Sequence, residues 1–530
     1  MSVRIPTASP ILNLSEDVLL EVFKRCLPGP DTRSIYPPSE APILLTQICR
    51  RWRRLAAESP LLWTTLRIRL LRERCDDTTM DILQTYLRHC GSSPIDLRLV
   101  FTYKAEVRYE LLCGRVEGPE DATVTAERHS EARRLRGLPE PGFPQPAFLR
   151  RFFPSFKQSI TRLSLTGVPV RAMVFLPDNS FPVLERLILV FRNESEWEAF
   201  DWGTHGPITA FYHSTSLRYV ALRRFREHVE RVLLPWDHIT HFVEGITTGS
   251  SLHHLVTTLP SPQLRYFHAL MADEDLPVSR SNALAWDGVS PQLSSNVETL
   301  SIVLYEVQFL WPLFLLFFRF PRLRRLQLSG KEFAPHPVPQ VLYALAQVDE
   351  EMFRKRLKEL PGLEHLSLFL VPSARWSIGI ENILPLTIHV TTLDIHISAE
   401  VFSALTLRDD SSYLPNLRSL NLHKPDHGEC DKIVLDSLGY FKRFLDSRLR
   451  AVPDDVGLET ITILTEKPPL DSVTAFVEAA MEAAKDIPDV KIRVEEVTNK
   501  IPERYLNQWA TLDKELKGWN GISEFFEVEH

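Results

Sequence analysis

The sequence predicts an α/β protein, in which a small N-terminal helical module is followed by a curved solenoid of parallel strands with outer helices. Three observations carry this. One phrase, L-x-x-L-x-L, returns along most of the chain, and stretches of helical periodicity separate its copies. Ahead of the first copy lie short amphipathic stretches too small to close a generous core of their own.

The first amphipathic stretch runs from Leu14 to Lys24 and sets Val18, Leu19, Val22, Phe23 and Cys26 on one helical stripe. Ser15 suits an N-cap, and Glu16 and Asp17 fall in the first turn, where the helix dipole favours negative charge. After a Pro-rich stretch from Pro28 to Pro42, Leu45, Ile48, Cys49, Trp52, Leu55 and Ala56 share one face, with Arg50, Arg51, Arg53 and Arg54 on the other. Leu62 and Trp63 close the region. A module this rich in Trp and Leu is expected to hide apolar surface against something else.

The phrase is complete at Leu184–Leu189, Leu323–Leu328, Leu363–Leu368 and Leu417–Leu422, often with Pro just ahead of it. Looser copies begin at Ile160, Leu217, Ile239, Leu264, Val297, Val390 and Leu458. The copy at Ile239 is the weakest, with Glu244 where its last apolar residue belongs. Successive copies begin 22 to 41 residues apart. The last two leucines of a phrase lie two apart, so on a strand they point to one face while their neighbours point to the other. The leucine face packs on connecting helices and successive strands pair in parallel. Helical connectors are expected at Met80–His89, Val338–Leu360, Ser437–Leu449 and Ser472–Lys485. Eleven copies favour an array over the scattered strands of an ordinary α/β domain.

Earlier strands are expected at Thr65–Leu70 and Ile95–Phe101. Residues 103–145 break the rhythm with mixed charge and a Pro-rich end, and read as a mobile insertion. Val490–Val494 reads as a last edge strand, and the aromatic, amphipathic stretch from Pro502 to Phe526 as a cap over it. The domains are therefore 11–66 for the helical module, 67–495 for the solenoid and 496–530 for the capping tail.

The open strand face is the candidate binding surface. The register directs Arg186, Tyr219, Arg223, His241, Tyr266, His268, Arg325, His365, Asp394, His396, Asn421 and His423 toward it. Arginine and aromatic residues are enriched at protein-binding hot spots. Tyr219, Arg223, Tyr266, His268, Arg325, His365, Asp394 and His396 are the candidate target contacts, although a polar strand face also simply meets water.

Catalytic signatures are missing. Ser329-Gly330-Lys331 lacks the glycine spacing and following Ser/Thr of a phosphate-binding loop, and neither Gly-x-Ser-x-Gly nor His-Glu-x-x-His occurs. His423, His427 and Cys430 could offer three zinc ligands, but a structural site needs a fourth from Asp426, Glu429 or Asp431. His238 and His241 flank a strand start and read as surface residues. No cofactor, metal or catalytic residue is expected.

Bulk properties narrow the class. With 530 residues, 44% apolar and 24% charged, the chain resembles ordinary globular protein. A net charge of −7 argues against broad nucleic-acid binding, which needs a basic footprint. Six cysteines without Cys-x-x-Cys pairing suggest reduced thiols, so the sequons at Asn13 and Asn193 read as chance and the protein as cytosolic or nuclear. No secretory signal is visible. The apolar run Val307–Phe318 is twelve residues long, short of the roughly twenty that span a membrane.

The acid-capped helix, the Cys49-x-x-Trp52-x-x-Leu55-Ala56 helix and the closing Leu62–Trp63 pair resemble the F-box. The phrase array resembles leucine-rich repeats, and the whole is similar to fungal F-box-like proteins. Asn13-Leu14-Ser15 stands where the F-box usually opens Leu-Pro, and the Pro-rich insertion separates the first helices. The resemblance implies docking on the Skp-type adaptor of a cullin–RING ubiquitin ligase, with the repeats holding a target protein. The chain would then be a substrate receptor and no enzyme. The residues this implies for the adaptor interface are Leu14, Val18, Leu19, Val22, Phe23, Leu45, Ile48, Cys49, Trp52, Leu55 and Trp63; some of them must form the module's own core. The adaptor of this family is acidic, so Arg50, Arg51, Arg53 and Arg54 would steer docking, or form a plain solvated face. The alternatives are a leucine-rich scaffold or inhibitor that recruits no ligase, and an enzyme with chemistry grafted on the insertion or tail.

Overall fold

The structure is a computed structural model that describes residues 14–27, 41–71, 77–102, 146–168, 170–191, 202–223, 231–247, 261–272, 293–305, 318–331, 358, 360–369, 383–406, 414–423, 430–451, 457–465, 471–485 and 490–496. These fall into two compact units, divided after His238. The expected insertion (103–145), the tail from Pro502, His427 and nearly all of the Val338–Leu360 connector and the Val307–Phe318 run lie outside the described residues.

The first unit opens with α1 (Glu16–Cys26), where the Ser15 side chain accepts from the Val18 N–H. Two short helices follow, α2 (Ile43–Ile48) and α3 (Arg50–Ala57). The apolar stripe from Leu45 to Ala56 is therefore broken at one residue. Cys49 is extended and caps α3, its Sγ accepting from the Trp52 N–H at 3.5 Å. A 3-10 turn (Pro60–Leu62) leads into β1 (Thr65–Leu71), α4 (Asp77–Arg88) and β2 (Ile95–Thr102). Next come α5 (Pro146–Phe156), β3 (Ile160–Val168), α6 (Val170–Val174), β4 (Arg186–Phe191), α7 (Trp202–His205) and β5 (Tyr219–Arg223). Strands β1 to β5 pair in sequence order, all parallel.

The second unit continues the pattern with β6 (His241–Thr247), β7 (Tyr266–Ala272), β8 (Leu293–Ser294), β9 (Thr299–Tyr305), β10 (Phe318–Arg319), β11 (Arg325–Lys331), β12 (His365–Phe369) and β13 (Thr392–His396). It ends with α8 (Ala399–Leu405), β14 (Ser419–His423), α9 (Cys430–Ala451), β15 (Thr460–Thr465), α10 (Asp471–Ala484) and β16 (Lys491–Glu496). Among the described residues its main sheet runs β6-β7-β9-β11-β12-β13-β14-β15-β16, every pair parallel. Strands β8 and β10 form a separate parallel pair. The fold class is α/β with open, parallel sheet. Three expected connectors are helices, each within a few residues of its expected bounds except α9, which starts seven residues early.

The leucine phrase works as a turn followed by a strand. The amide of its first apolar residue donates three residues back: Leu184 to Phe181, Leu217 to Ser214, Leu264 to Ser261, Leu323 to Phe320, Leu363 to Leu360, Val390 to Thr387 and Leu417 to Leu414, at 2.9–3.3 Å. In five of these turns the second residue is proline (182, 262, 321, 361 and 415), whose fixed φ suits that position. The turn residue that follows the phrase's first leucine then bonds the preceding repeat, as when Arg418 N–H donates to Thr391 O and Glu459 N–H to Arg418 O. The inner leucines line up across strands: Leu300, Leu326, Leu366, Leu393, Leu420 and Ile461 occupy one register column and are buried. Even the weak copy at Ile239 forms a strand, with Glu244 paired to Ala269.

Phenylalanines fill the space behind the leucines. In the first unit Phe153 meets Phe181 edge-on at 4.8 Å, and Phe181 stacks on Phe211 at 5.2 Å. In the second, Phe402 of α8, Phe441 of α9 and Phe476 of α10 lie within 6.1 Å of one another, ring centre to ring centre. Such pairs add about 0.5–1.5 kcal/mol each beyond their burial. No helix among the described residues is long and apolar enough to cross a membrane.

Candidate functional site

The helical module and the strand faces hold the candidate residues. On the helical module, burial separates core from surface. Leu19, Phe23, Leu45, Trp52, Leu55 and Trp63 are buried and form the module's own core, together with Ala56 and Leu62. Phe23 packs on Trp52 with ring centres 4.8 Å apart. Burial places these six expected adaptor contacts in the core that closes the three short helices.

What remains outside is apolar as well. Val18 is 46% exposed and Ile48 51%, with Leu44 at 39% and Leu61 at 63%, while Leu14, Val22 and Cys49 are half-buried. Leu44 and Leu61 were not among the expected contacts. Leu44 falls off the helical stripe read from Leu45, and Leu61 sits in a 3-10 turn that periodicity does not register.

The arginines of α3 mostly stitch the module together. Arg51 donates to Leu14 O at 2.6 Å, Arg53 to Thr46 O at 2.7 Å, and Arg54 pairs with Glu16 at 2.8 Å. Arg50 remains exposed. Three of the four arginines thus hold the segments of α1 and α2 against α3.

Trp63 joins the module to the first repeat. Its indole N–H donates to Ala56 O at 2.7 Å, and its ring meets Tyr86 edge-on at 4.7 Å and stacks on His89 at 4.4 Å. The Cys90 thiol donates to Trp63 O at 2.8 Å. Burial pushes the Cys90 thiol up to about 12 and the Tyr86 hydroxyl higher than usual as well.

The strand face of each unit holds the rest. Arg186 and Tyr219 are half-buried on that of the first unit, and Tyr266, Arg325, His365, His396, Asn421 and His423 on that of the second. Arg186 lies over the Tyr219 ring at 4.4 Å, and His241 stacks on Tyr266 at 4.0 Å. The backbone of Arg223 continues the column, paired with Val190; its side chain lies outside the described set. Two expected target contacts are corrected: His268 is 1% exposed and Asp394 2%, so neither is offered to a partner. His241, expected at the surface, is buried too, under its stack with Tyr266.

Asp394 is the centre of a network. Its Oδ2 accepts from His365 Nε2 at 2.6 Å and Ser367 Oγ at 2.7 Å, and its Oδ1 from Asn421 Nδ2 at 2.6 Å. The trio of serine, histidine and acid invites a catalytic reading, which the geometry opposes. Ser367 donates to the carboxylate and not to the imidazole, so no base is in place to activate it. The network orders polar side chains of three neighbouring strands, β12 to β14, into one fixed arrangement. Among the described residues no group of three or more His, Cys, Asp or Glu could hold a metal ion. His423 lies on β14 and Cys430 begins α9, while His427 lies outside the described residues.

Comparison of the sequence with protein-family models and with curated proteins finds no match in either.

Proposed function

We propose that this chain is the substrate-recognition subunit of a cullin–RING ubiquitin ligase, its helical module docking on a Skp-type adaptor and its open strand face holding a target protein. The reading is carried by one observation: after the module has closed its own core, Val18, Leu44, Ile48 and Leu61 still stand exposed. A module of α1 to α3 that keeps large apolar side chains outward, with the adjoining strands parallel and repetitive, fits a docking cap on a curved leucine-rich solenoid. The chain then catalyses nothing. It raises the effective concentration of a target lysine near the ubiquitin carrier. Its setting would be the cytosol or nucleus, where such ligases work.

The test is capture of a purified Skp-type adaptor by the full chain, wild type against Val18→Asp and Ile48→Asp. Both positions are exposed, so folding should survive, as circular dichroism would check. Stoichiometric capture by the wild type, weakened roughly tenfold or more in the variants, supports the receptor. Failure of the folded wild type to bind leaves a leucine-rich interaction scaffold.

A further inference from the structure

The register of β1 to β5 gathers arginine on the face opposite the buried leucines. Arg67 pairs with Arg98, Asp96 with Arg162, Arg162 with Arg186 and Val190 with Arg223, and Arg69 lies one step along from Arg67. Six arginines thus share the non-leucine positions of five strands with a single acid, Asp96, in a chain whose net charge is −7. Asp96 is engaged by Arg98 at 3.4 Å. Arg162 stands directly opposite Arg186 on the neighbouring strand, with the backbones about 5 Å apart. The equivalent positions of β7, β9, β12 and β13 include Tyr, Thr, Ser, His and Asp; β11 carries Arg325 and Lys331, but neither is paired with another basic residue except Arg325 with His365.

We infer that this face binds an acidic peptide segment of the partner, rich in Asp and Glu and carrying an apolar side chain. Arginine matches carboxylate bidentately, so a run of partner carboxylates suits a face on which arginine recurs from strand to strand. The Arg186 guanidinium carbon lies 4.4 Å from the centre of the Tyr219 ring, a contact that holds it in place before binding. Half-buried Ile188, between the Arg186 and Val190 positions of β4, gives the apolar side chain a seat that a sugar–phosphate backbone would not use. The inference rests on the reading of the strand face as the surface that holds the target.

The experiment is fluorescence anisotropy on the full chain with a labelled Glu-rich peptide containing one Leu. A Gln-for-Glu version of that peptide and a single-stranded RNA oligomer serve as competing probes. Saturable binding of the Glu peptide is expected. It should weaken with salt and fall at least about tenfold in the Arg162→Glu/Arg186→Glu pair. The milder Arg162→Gln/Arg186→Gln pair should lose affinity in the same direction while melting like the wild type, and Arg493→Glu on β16 should bind unchanged. Equal affinity for the Gln peptide, undiminished binding by folded variants, or tighter binding of RNA would each overturn the inference. Adaptor capture by the same variants keeps the two readings apart: it should be unaffected, and its failure in the wild type would remove the receptor while leaving peptide binding measurable.

Discussion

His365 and Asp394 are joined across neighbouring parallel strands, Nε2 to Oδ2 at 2.6 Å, with Ser367 donating to the same oxygen. Burial alone would raise the Asp394 carboxyl. The hydrogen bond and charge of His365, with the nearby His423 and the Ser367 hydroxyl, outweigh it and hold the carboxyl below the ordinary aspartate range.

A depressed carboxylate stabilises the fold at every pH above its unfolded value, near 3.9, and the contribution disappears as pH falls through the lower folded value. Urea titrations of the wild type should therefore lose stability on acidification below about pH 4. Asp394→Asn should cost about 2–3 kcal/mol at neutral pH and flatten that acid limb, because the buried donors lose their anion. An unchanged acid limb in the variant would assign the acid sensitivity to other carboxylates.

Trp52 and Ile48 lie four residues apart and should respond in opposite ways. Trp52→Ala removes a core ring packed on Phe23 and should cost about 3–5 kcal/mol in denaturant unfolding. Trp52→Phe should cost much less, since the indole N–H has no acceptor to lose. Ile48→Asp should stay within about 0.5 kcal/mol of wild type, and under the proposed function it should weaken adaptor capture.

Thiol chemistry reports the joint at Trp63. Cys26 is exposed and Cys90 is buried with its thiol raised to about 12. Near pH 8 a maleimide should label Cys26 within the dead time of manual mixing and Cys90 only when the region opens. Trp63→Ala should release Cys90 to the reagent, as peptide mapping by mass spectrometry would show.

Gly167 holds β3 at a φ of +68°, and a Cβ there would come 2.5 Å from Phe101 O. Both conflicts are with backbone, so no side chain can give way. Gly167→Ala should lower stability by about 2 kcal/mol or more, read from the thermal midpoint.

Much of this architecture was legible because leucine spacing and parallel pairing report the same alternation. Leu323-x-x-Leu326-x-Leu328 reads as a strand in sequence, and from Arg325 on it is one, its leucines in register with those of the neighbouring strands. The core–surface division of the module was not legible. Val18 and Leu19 are adjacent on one broad stripe, and only three-dimensional closure decides that Leu19 turns in and Val18 out. Nor was the fate of Asp394, since the phrase says which face it takes but not that His365, Ser367 and Asn421 converge on it from neighbouring repeats. The phenylalanine spine escaped for a related reason: Phe181, Phe211, Phe402 and Phe441 belong to connectors of unequal length that share no common period. Arg98, Arg162 and Arg186 lie far apart in sequence, and only strand pairing brings them to neighbouring strands.

The turns that open seven of the strands have an effect on how such a chain can change over time. Copies of the phrase begin at irregular intervals, 22 to 41 residues apart, yet the strands they start remain aligned. Each turn, closed by its own i to i+3 hydrogen bond and most often primed by proline, resets the phase of the backbone. A length error in one connector is therefore not inherited by the next repeat. Insertions and deletions in the connectors become nearly neutral events, and the spacing between functional side chains on the face can drift in the connectors without detuning the columns that present them.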